Sequence, residues 1–188
     1  MRICEEQHIA AWQPFALCVN GWALCASGES EKGLAQIGQG LDGYLGTAQH
    51  ILLAFQADAQ LAIGKPEAAL ASVAAGLKAV EKMGGAPLEA ELYRLRGEAL
   101  LAGAGAVSEA ETAIEQAIDV ARRQNAKSWE LRAATSLARL RRQQGRPQEA
   151  VALLAPIHAW FTEGLDTADL QAARTLLGEI ASSLCSSQ

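Results

Sequence analysis

Apolar residues recur along most of the chain at intervals of three and four, the spacing of amphipathic helices, and do not alternate as in strands. Short turns containing glycine separate these stretches, and proline follows the glycine closely in Gly64-Lys-Pro66 and Gly145-Arg-Pro147. Glycine just after one helix and proline in the first turn of the next is the usual order at a helix boundary. The pattern therefore predicts an all-α fold of helices joined by short turns.

The helical stretches also repeat in pairs. Four segments each contain a helix, a turn glycine and a second helix with a small residue five positions after that glycine. The turn glycines lie 36, 41 and 40 residues apart, at Gly28, Gly64, Gly105 and Gly145. This spacing is typical of helical-repeat solenoids, in which each pair buries its apolar face against the next. We predict a single domain over 1–188, with repeats at roughly 8–44, 46–83, 87–124 and 126–163 and a capping helix at 166–184.

Small residues are expected where the two helices of a pair cross, because two backbones approach closely only there. The predicted crossings pair four residues of the first helices with four of the second: Gly21, Ala57, Gly97 and Ala138 with Gly33, Ala69, Ala110 and Ala150. Two boundary details follow from local chemistry. Asp166 is the expected N-cap of the capping helix, and Pro156 is expected to kink or break the last second helix.

Composition supports the helical prediction. The chain contains 39 alanines and 25 leucines, while aromatic residues make up 5% of it. Alanine and leucine lose little side-chain freedom in a helix, and the residues that fill sheets are scarce. Sandwiches, barrels and doubly wound sheets are therefore not expected, and many of the alanines act as spacers between helices.

The net charge of −5 argues against nucleic acid as a global partner, because phosphate binding needs a basic field. The sequence has no apolar run long enough to span a membrane and no signal-peptide pattern at its start, so we expect a cytoplasmic protein without a membrane partner. No cofactor or metal is expected, since the cysteines form no C-x-x-C pair and the histidines lie far apart. These residues are Cys4, Cys18, Cys25, Cys185, His8, His50 and His158.

One segment, Gly38-Gln-Gly40-Leu-Asp-Gly43, matches the G-x-G-x-x-G pattern of dinucleotide-binding proteins. That pattern works between a strand and a helix, where the backbone meets a pyrophosphate. Here the preceding residues are predicted to be helical, so the glycines are interpreted as packing positions that weaken the helix. No P-loop and no nucleophile–base arrangement is recognisable, and we do not expect an enzyme.

Three segments resemble a known family: Glu91–Leu101, Ala121–Leu140 and Trp160–Leu170. They are similar to the C-terminal tetratricopeptide-like region of bacterial multidomain regulators. In that family such regions follow a class III adenylate or guanylate cyclase domain, or a DNA-binding domain, and an AAA-type ATPase module. The resemblance implies a tetratricopeptide-like right-handed superhelix of about four helix pairs and a capping helix. It transfers no catalytic residue, so cyclase activity is not expected of this chain.

In such a superhelix the first helices line a concave groove that accommodates an extended or helical ligand. The predicted register places a set of groove residues that is apolar at one end and basic at the other. Its candidate binding residues are Phe15, Trp22, Asp58, Arg94, Glu98, Arg132, Arg139 and Arg142, and the neighbouring groove positions include Cys18, Cys25, Ala54 and Thr135.

The basic end belongs to a segment, residues 122–146, that holds eight of the sixteen cationic side chains and only one acid, Glu130. Arg132, Arg139 and Arg142 fall on one helix face, which suits carboxylates or phosphates. A solvated helix face, contact with an acidic peptide or neighbouring domain, and nucleic-acid binding all remain open at this point, in that order of preference.

Three functions are compatible with this pattern. The first is a non-catalytic protein-interaction scaffold that uses the groove. The second is a regulatory module of a cyclase or ATPase signalling protein, acting within one chain or between chains. The third is a small-ligand or nucleotide sensor. Exposed aromatic side chains at Phe15 and Trp22 would also favour self-association through the N-terminal repeat.

Overall fold

The computed structural model describes residues 12–44 and 46–186, in which nine α-helices and no β-strand occur. The prediction of an all-α fold is thereby confirmed. Cys4, His8 and the start of the first predicted repeat lie outside the described residues. The helices are α1 Gln13–Ala26, α2 Ser30–Gly43, α3 Gln49–Ala62, α4 Pro66–Met83, α5 Glu89–Ala102, α6 Val107–Arg123, α7 Lys127–Gln143, α8 Pro147–Ala159 and α9 Ala168–Ser186.

Consecutive helices pack as pairs: α1 with α2, α3 with α4, α5 with α6, and α7 with α8, while α9 packs on both α7 and α8. Each first helix also packs on the first helix of the next pair, so that α1, α3, α5, α7 and α9 form one continuous layer. Within the described chain no two second helices pack on each other in this way. The array therefore curves, with the first helices on its concave face and the second helices on its outer face.

The helix crossing in the first pair depends on two glycines. A Cβ atom on Gly33 would lie 2.4 Å from the backbone oxygen of Gly21, and one on Gly21 would lie 2.5 Å from that of Gly33. Carbon and oxygen cannot approach so closely, so only glycine permits this crossing. At the two crossings predicted for Ala57–Ala69 and Ala138–Ala150, all four alanines are fully buried, which agrees with the predicted packing.

The turns follow the predicted order of glycine and proline. Gly28, Gly64 and Gly145 each adopt a positive φ, of 94°, 71° and 75°. Pro66 and Pro147 each stand at the start of the helix that follows. In three of the four pairs the chain therefore reverses between the helices through a left-handed residue, which glycine adopts without steric strain. The third pair differs, because its predicted turn glycine, Gly105, does not adopt a positive φ.

The apolar core consists of clusters that each join neighbouring pairs, which gives the fold a continuous core along its length. The first cluster lies between α1, α2 and α3, the second between α3, α4 and α5, and the third between α6, α7, α8 and α9. Their most deeply buried large side chains include Ile37, Leu52, Val73, Leu92, Leu95, Ile114, Leu131, Leu137, Leu154 and Ile180.

Two predicted boundary details need correction. The helix does not break at Pro156, because α8 continues to Ala159; the proline lies in the last turn, and Ala152, whose carbonyl loses a helical donor, is exposed to water. A kink at this proline stays a prediction. Asp166 is not the N-cap of the capping helix. That helix begins at Ala168, and the backbone N–H of Gln171 donates to the carbonyl oxygen of Thr167 at 3.0 Å, which places the cap at Thr167.

The G-x-G-x-x-G segment lies inside α2 and not after a strand. Gly40 packs against α1, where a Cβ atom would lie 2.4 Å from the backbone oxygen of Pro14. Among the described residues, no helix is both long and apolar enough to cross a membrane. The same part of the chain contains no cluster of His, Cys, Asp and Glu that could hold a metal ion.

Replacing Gly33 with alanine should destabilise the protein, because the new methyl group overlaps the backbone of α1. We expect Gly33→Ala to lower the free energy of unfolding by about 1–3 kcal/mol. Gly38→Ala, in the same helix, is the matched control, since a Cβ atom there meets nothing within 4 Å. It should raise stability by up to about 1 kcal/mol, because alanine has the higher helix propensity. Urea unfolding followed by circular dichroism measures both changes, and equal effects of the two substitutions would contradict the crossing model.

Candidate functional site

A connected series of polar side chains crosses the concave face from α1 to α9. We call this series the concave ladder. It joins each first helix to the next through hydrogen bonds or ion pairs, and it consists of Trp22, Asp58, Glu91, Arg94, Glu98, Arg132, Ser136 and Asp169. Five of the eight predicted binding residues belong to it.

The ladder begins with an aromatic platform at the N-terminal end of the groove. The indole N–H of Trp22 on α1 donates to the carboxylate of Asp58 on α3 at 2.7 Å. The Trp22 ring also lies against Phe55, with ring centroids 5.6 Å apart and planes tilted by 36°. Trp22 nevertheless remains 36% exposed. The indole is thus fixed in orientation while part of its surface is available to a ligand.

Arg94 on α5 is the central residue of the ladder. Its guanidinium donates twice to Glu91, at 2.9 and 2.8 Å, and once to Glu98 at 3.4 Å, and it lies 3.9 Å from Asp58. Burial by itself would lower the pKa of Arg94, but the charges of Glu91, Glu98 and Asp58 raise it overall. The arginine is therefore held as a cation at 9% exposure, and its charge is fully compensated by neighbouring carboxylates.

Three contacts continue the ladder toward the C-terminal end. Arg132 on α7 donates to Glu91 at 2.9 Å, and the Ser136 hydroxyl donates to Glu98 at 2.6 Å. Arg132 also lies 3.8 Å from Asp169 on α9. Its guanidinium stands over the ring of Trp129, 5.6 Å from the centroid, a cation–π geometry that further fixes the side chain.

The other predicted binding residues lie near the ladder but outside it. Arg139 is exposed, forms no ion pair or hydrogen bond with any described residue, and lines a cavity of about 100 Å³ with Arg94, Arg132 and Asp169. Arg142 pairs with Glu179 on α9. Phe15 packs into the first core cluster and makes an edge contact with Trp12, with ring centroids 5.9 Å apart.

Four neighbouring positions that were expected to face the groove are buried: Cys18, Cys25, Ala54 and Thr135. Thr135 nevertheless lines the small cavity that Arg139 shares with Arg94. The two cysteines point toward α2, where Gly40 and Gly33 leave room for their sulfur atoms. Burial raises the pKa of the Cys18 thiol to about 11 and also raises that of Cys25. Neither is therefore a reactive groove residue.

The basic segment 122–146 is largely neutralised in space. Four of its arginines form ion pairs with carboxylates that lie on other helices and are distant in the sequence. These carboxylates are Glu91, Glu111, Glu115 and Glu179. Arg122 and Lys127 share Glu130, at 2.8 and 2.6 Å. Only Arg123 and Arg139 of this segment have no ion-pair partner among the described residues. The groove end is accordingly a mixed-charge surface and not a basic one.

Three ladder residues, Glu91, Ser136 and Asp169, were not among the eight candidate binding residues, and neither was Phe55 of the aromatic platform. A signal for part of the ladder does exist in the sequence, since Trp22, Asp58 and Arg94 are spaced by 36 residues, one repeat length. Phe55 lies one turn before Asp58 on the same helix. Asp169 lies in the first turn of α9. An acidic residue at that place is explained equally well by its favourable interaction with the helix dipole.

The chain is similar in structure to a candidate kinesin light chain of Podosopora anserina, whose crystal structure is described as having nearly identical TPR-like repeats. The TM-score is 0.67 and the sequence identity 18%, and the match covers 91% of this chain and 86% of that chain. The fold is thus tetratricopeptide-like. No protein-family model matches the chain, and no curated protein matches it.

Removing the Arg94 side-chain charge should strongly destabilise the protein, because Glu91 would keep a buried charge with one partner fewer. We expect Arg94→Met to lower the free energy of unfolding by about 3–5 kcal/mol. Arg96→Met is the matched control, since Arg96 lies on the same helix but is exposed, and it should change stability by less than about 0.5 kcal/mol. Adding Glu91→Gln to Arg94→Met should restore part of the loss. Chemical denaturation measures all three, and an unchanged Arg94→Met would contradict the central role of this residue.

Glu130 should contribute stability that disappears in acid. Burial alone would raise its pKa, but hydrogen bonds from Lys127 and Arg122 lower it below the ordinary value of 4.5. A group whose pKa is lowered by folding stabilises the protein fully above its unfolded pKa, and this contribution is lost as the pH falls through the folded pKa. Glu130→Gln should therefore be less stable than wild type at neutral pH.

The difference in unfolding free energy between wild type and Glu130→Gln should shrink as the pH falls below about 4.5. Urea unfolding at a series of pH values measures it. Glu109→Gln, at an exposed position of α6 without an ion-pair partner among the described residues, is the control at neutral pH and should unfold like wild type. A difference that stays constant into the acid range would contradict the assignment.

Proposed function

We propose that the protein is a cytoplasmic, non-catalytic interaction module that binds a segment of a partner protein in its concave groove. The observation that supports this most directly is the Trp22 platform. Tryptophans that are fixed in place and partly exposed in a concavity are typical anchors of protein interfaces, because their large apolar surface is immobilised before binding. Here Asp58 and Phe55 perform that immobilisation.

The partner segment is expected to carry an apolar side chain for Trp22 and an acidic side chain for Arg139. Arg139 supports the expectation of an acidic side chain. Arg132 and Arg142 are already paired with carboxylates of the protein, whereas Arg139 has no ion-pair partner within the described chain. The remaining charges of the groove nearly balance. A segment with one acid and an apolar anchor therefore suits the surface better than a strongly acidic one.

Selection of short random peptides on the protein, followed by affinity measurement, tests this proposal. Trp22→Ala and Arg139→Glu should each weaken the selected peptides by about tenfold or more. Two matched controls should leave affinity unchanged: Trp160→Ala removes an exposed tryptophan at the end of α8, and Arg96→Glu reverses an exposed charge outside the ladder. Peptides that bind the groove variants as well as wild type would exclude the groove as the binding surface.

Two further functions are proposed on narrower grounds. The resemblance of Glu91–Leu101, Ala121–Leu140 and Trp160–Leu170 to the repeat regions of cyclase and ATPase regulators supports a regulatory module, in which the groove would hold another domain of the same assembly. An adjacent cyclase or ATPase reading frame would support this. A small-ligand or nucleotide sensor is the third proposal, and a flat thermal-shift response to a nucleotide panel would argue against it.

Self-association through the N-terminal repeat remains a proposal as well. It is supported by the exposed aromatic surface of the first pair, where Trp12 is 62% and Trp22 is 36% exposed. Light scattering of wild type and Trp22→Ala would measure it. A dimer that is unchanged by this substitution would place the contact elsewhere.

A further inference from the structure

The polar contacts that join neighbouring helix pairs across the concave face differ in number from one boundary to the next. Pairs three and four are joined by Glu91–Arg132 and Glu98–Ser136, at 2.9 and 2.6 Å, and by several ion pairs behind them. The first two pairs are joined by the short hydrogen bond from Trp22 to Asp58. Between α3 and α5, the ion pair of Asp58 with Arg94, at 3.9 Å, is the sole polar side-chain contact within the described residues.

The outer face is open at that same boundary. A cleft of about 940 Å³ separates α4 from α6, and the side chains of Leu77, Lys78 and Glu81 on one wall face Val120 and Arg123 on the other. Tyr93 of α5 forms part of its floor. Since no second helix fills this space, pairs two and three can change their mutual angle without a steric clash on the outer side.

The connection between these two pairs contains consecutive glycines. Gly84 and Gly85 both adopt positive φ, 73° and 120°. The chain beyond them is fixed to the third pair, because Ala86 is buried and its carbonyl oxygen accepts a hydrogen bond at 3.0 Å from Gln124, the residue that follows α6. The permissive backbone is thus confined to the two glycines.

We propose that the boundary between the second and third helix pairs is a hinge of the superhelix, and that the ion pair of Asp58 with Arg94 is the latch that fixes its angle. Leu92 and Leu95 hold the two pairs in contact through the second core cluster. This apolar contact opposes separation of the two pairs, and the ion pair adds an interaction whose length depends on the angle between α3 and α5. The ion pair of Asp58 with Arg94 fixes the angle between the two pairs, and this angle determines the width of the groove. This proposal stands independently of whether a peptide binds there.

Asp58→Asn is the variant that opens the latch with the least other damage. The amide oxygen of asparagine can still accept the indole hydrogen bond of Trp22, whereas the negative charge facing Arg94 is lost. Glu98→Gln is the matched control. It also removes a carboxylate from Arg94, but Glu98 lies on the same helix as Arg94 and does not join α3 to α5.

Distances between spin labels across the outer cleft measure the hinge. Labels at Ala75→Cys on α4 and Asp119→Cys on α6 span the proposed hinge, and labels at Asp119→Cys and Ala152→Cys span the next boundary; all three positions are exposed. Cys4 and Cys185 are replaced by serine throughout. Circular dichroism confirms that each variant keeps its helical content.

We expect a narrow distance distribution across the hinge in wild type and in Glu98→Gln, and one at least about twice as wide in Asp58→Asn, because the variant samples several angles. The control label pair should stay narrow in all three proteins. A narrow distribution in Asp58→Asn would overturn the latch. Equal broadening in Glu98→Gln, or at the control pair, would overturn the assignment of the hinge to this boundary.

Discussion

The close approach of helix backbones at the crossings is the constraint on which the rest of the structure depends. At Gly21 and Gly33 each backbone oxygen lies within 2.5 Å of the position that the other residue's Cβ atom would occupy. Because the crossing admits no larger residue, the rotation of each helix about its own axis is fixed. That rotation determines which side chains face the core and which face the concave side. Because Gly21 faces α2 at the crossing, the next residue, Trp22, is directed toward the groove.

The concave ladder is a consequence of this fixed geometry repeated along the array. The first helices pack on one another and the second helices do not, so polar side chains on consecutive first helices come within hydrogen-bond reach only on the concave face. A carboxylate or guanidinium placed there finds a partner one repeat away. Arg94 shows the result, since it is 9% exposed and still surrounded by compensating charge.

The repeat pattern was sufficient to predict the helices, the crossing of Gly21 with Gly33 and five of the eight ladder residues, because these depend on local periodicity. It was insufficient to predict which charged side chains form ion pairs. Arg132, Arg142 and Arg146 each pair with an acid that lies 35 or more residues away in the sequence, and such pairing depends on which helices are neighbours in space. For Cys18 the pattern left burial and a groove position both open, because the residue shares a helix stripe with Trp22; Gly40 on the opposing helix leaves room for its sulfur atom in the core.

The same ladder that gives the groove its shape limits how the groove can bind. A ligand carboxylate that binds Arg94 or Arg132 must displace a carboxylate of the protein, so it exchanges one ion pair for another and gains little net energy. Arg139 and the exposed part of Trp22 require no such exchange. In the proposed function, recognition therefore depends on these two residues, and in the proposed hinge the paired charges determine the curvature of the array and so the distance between the two contact points.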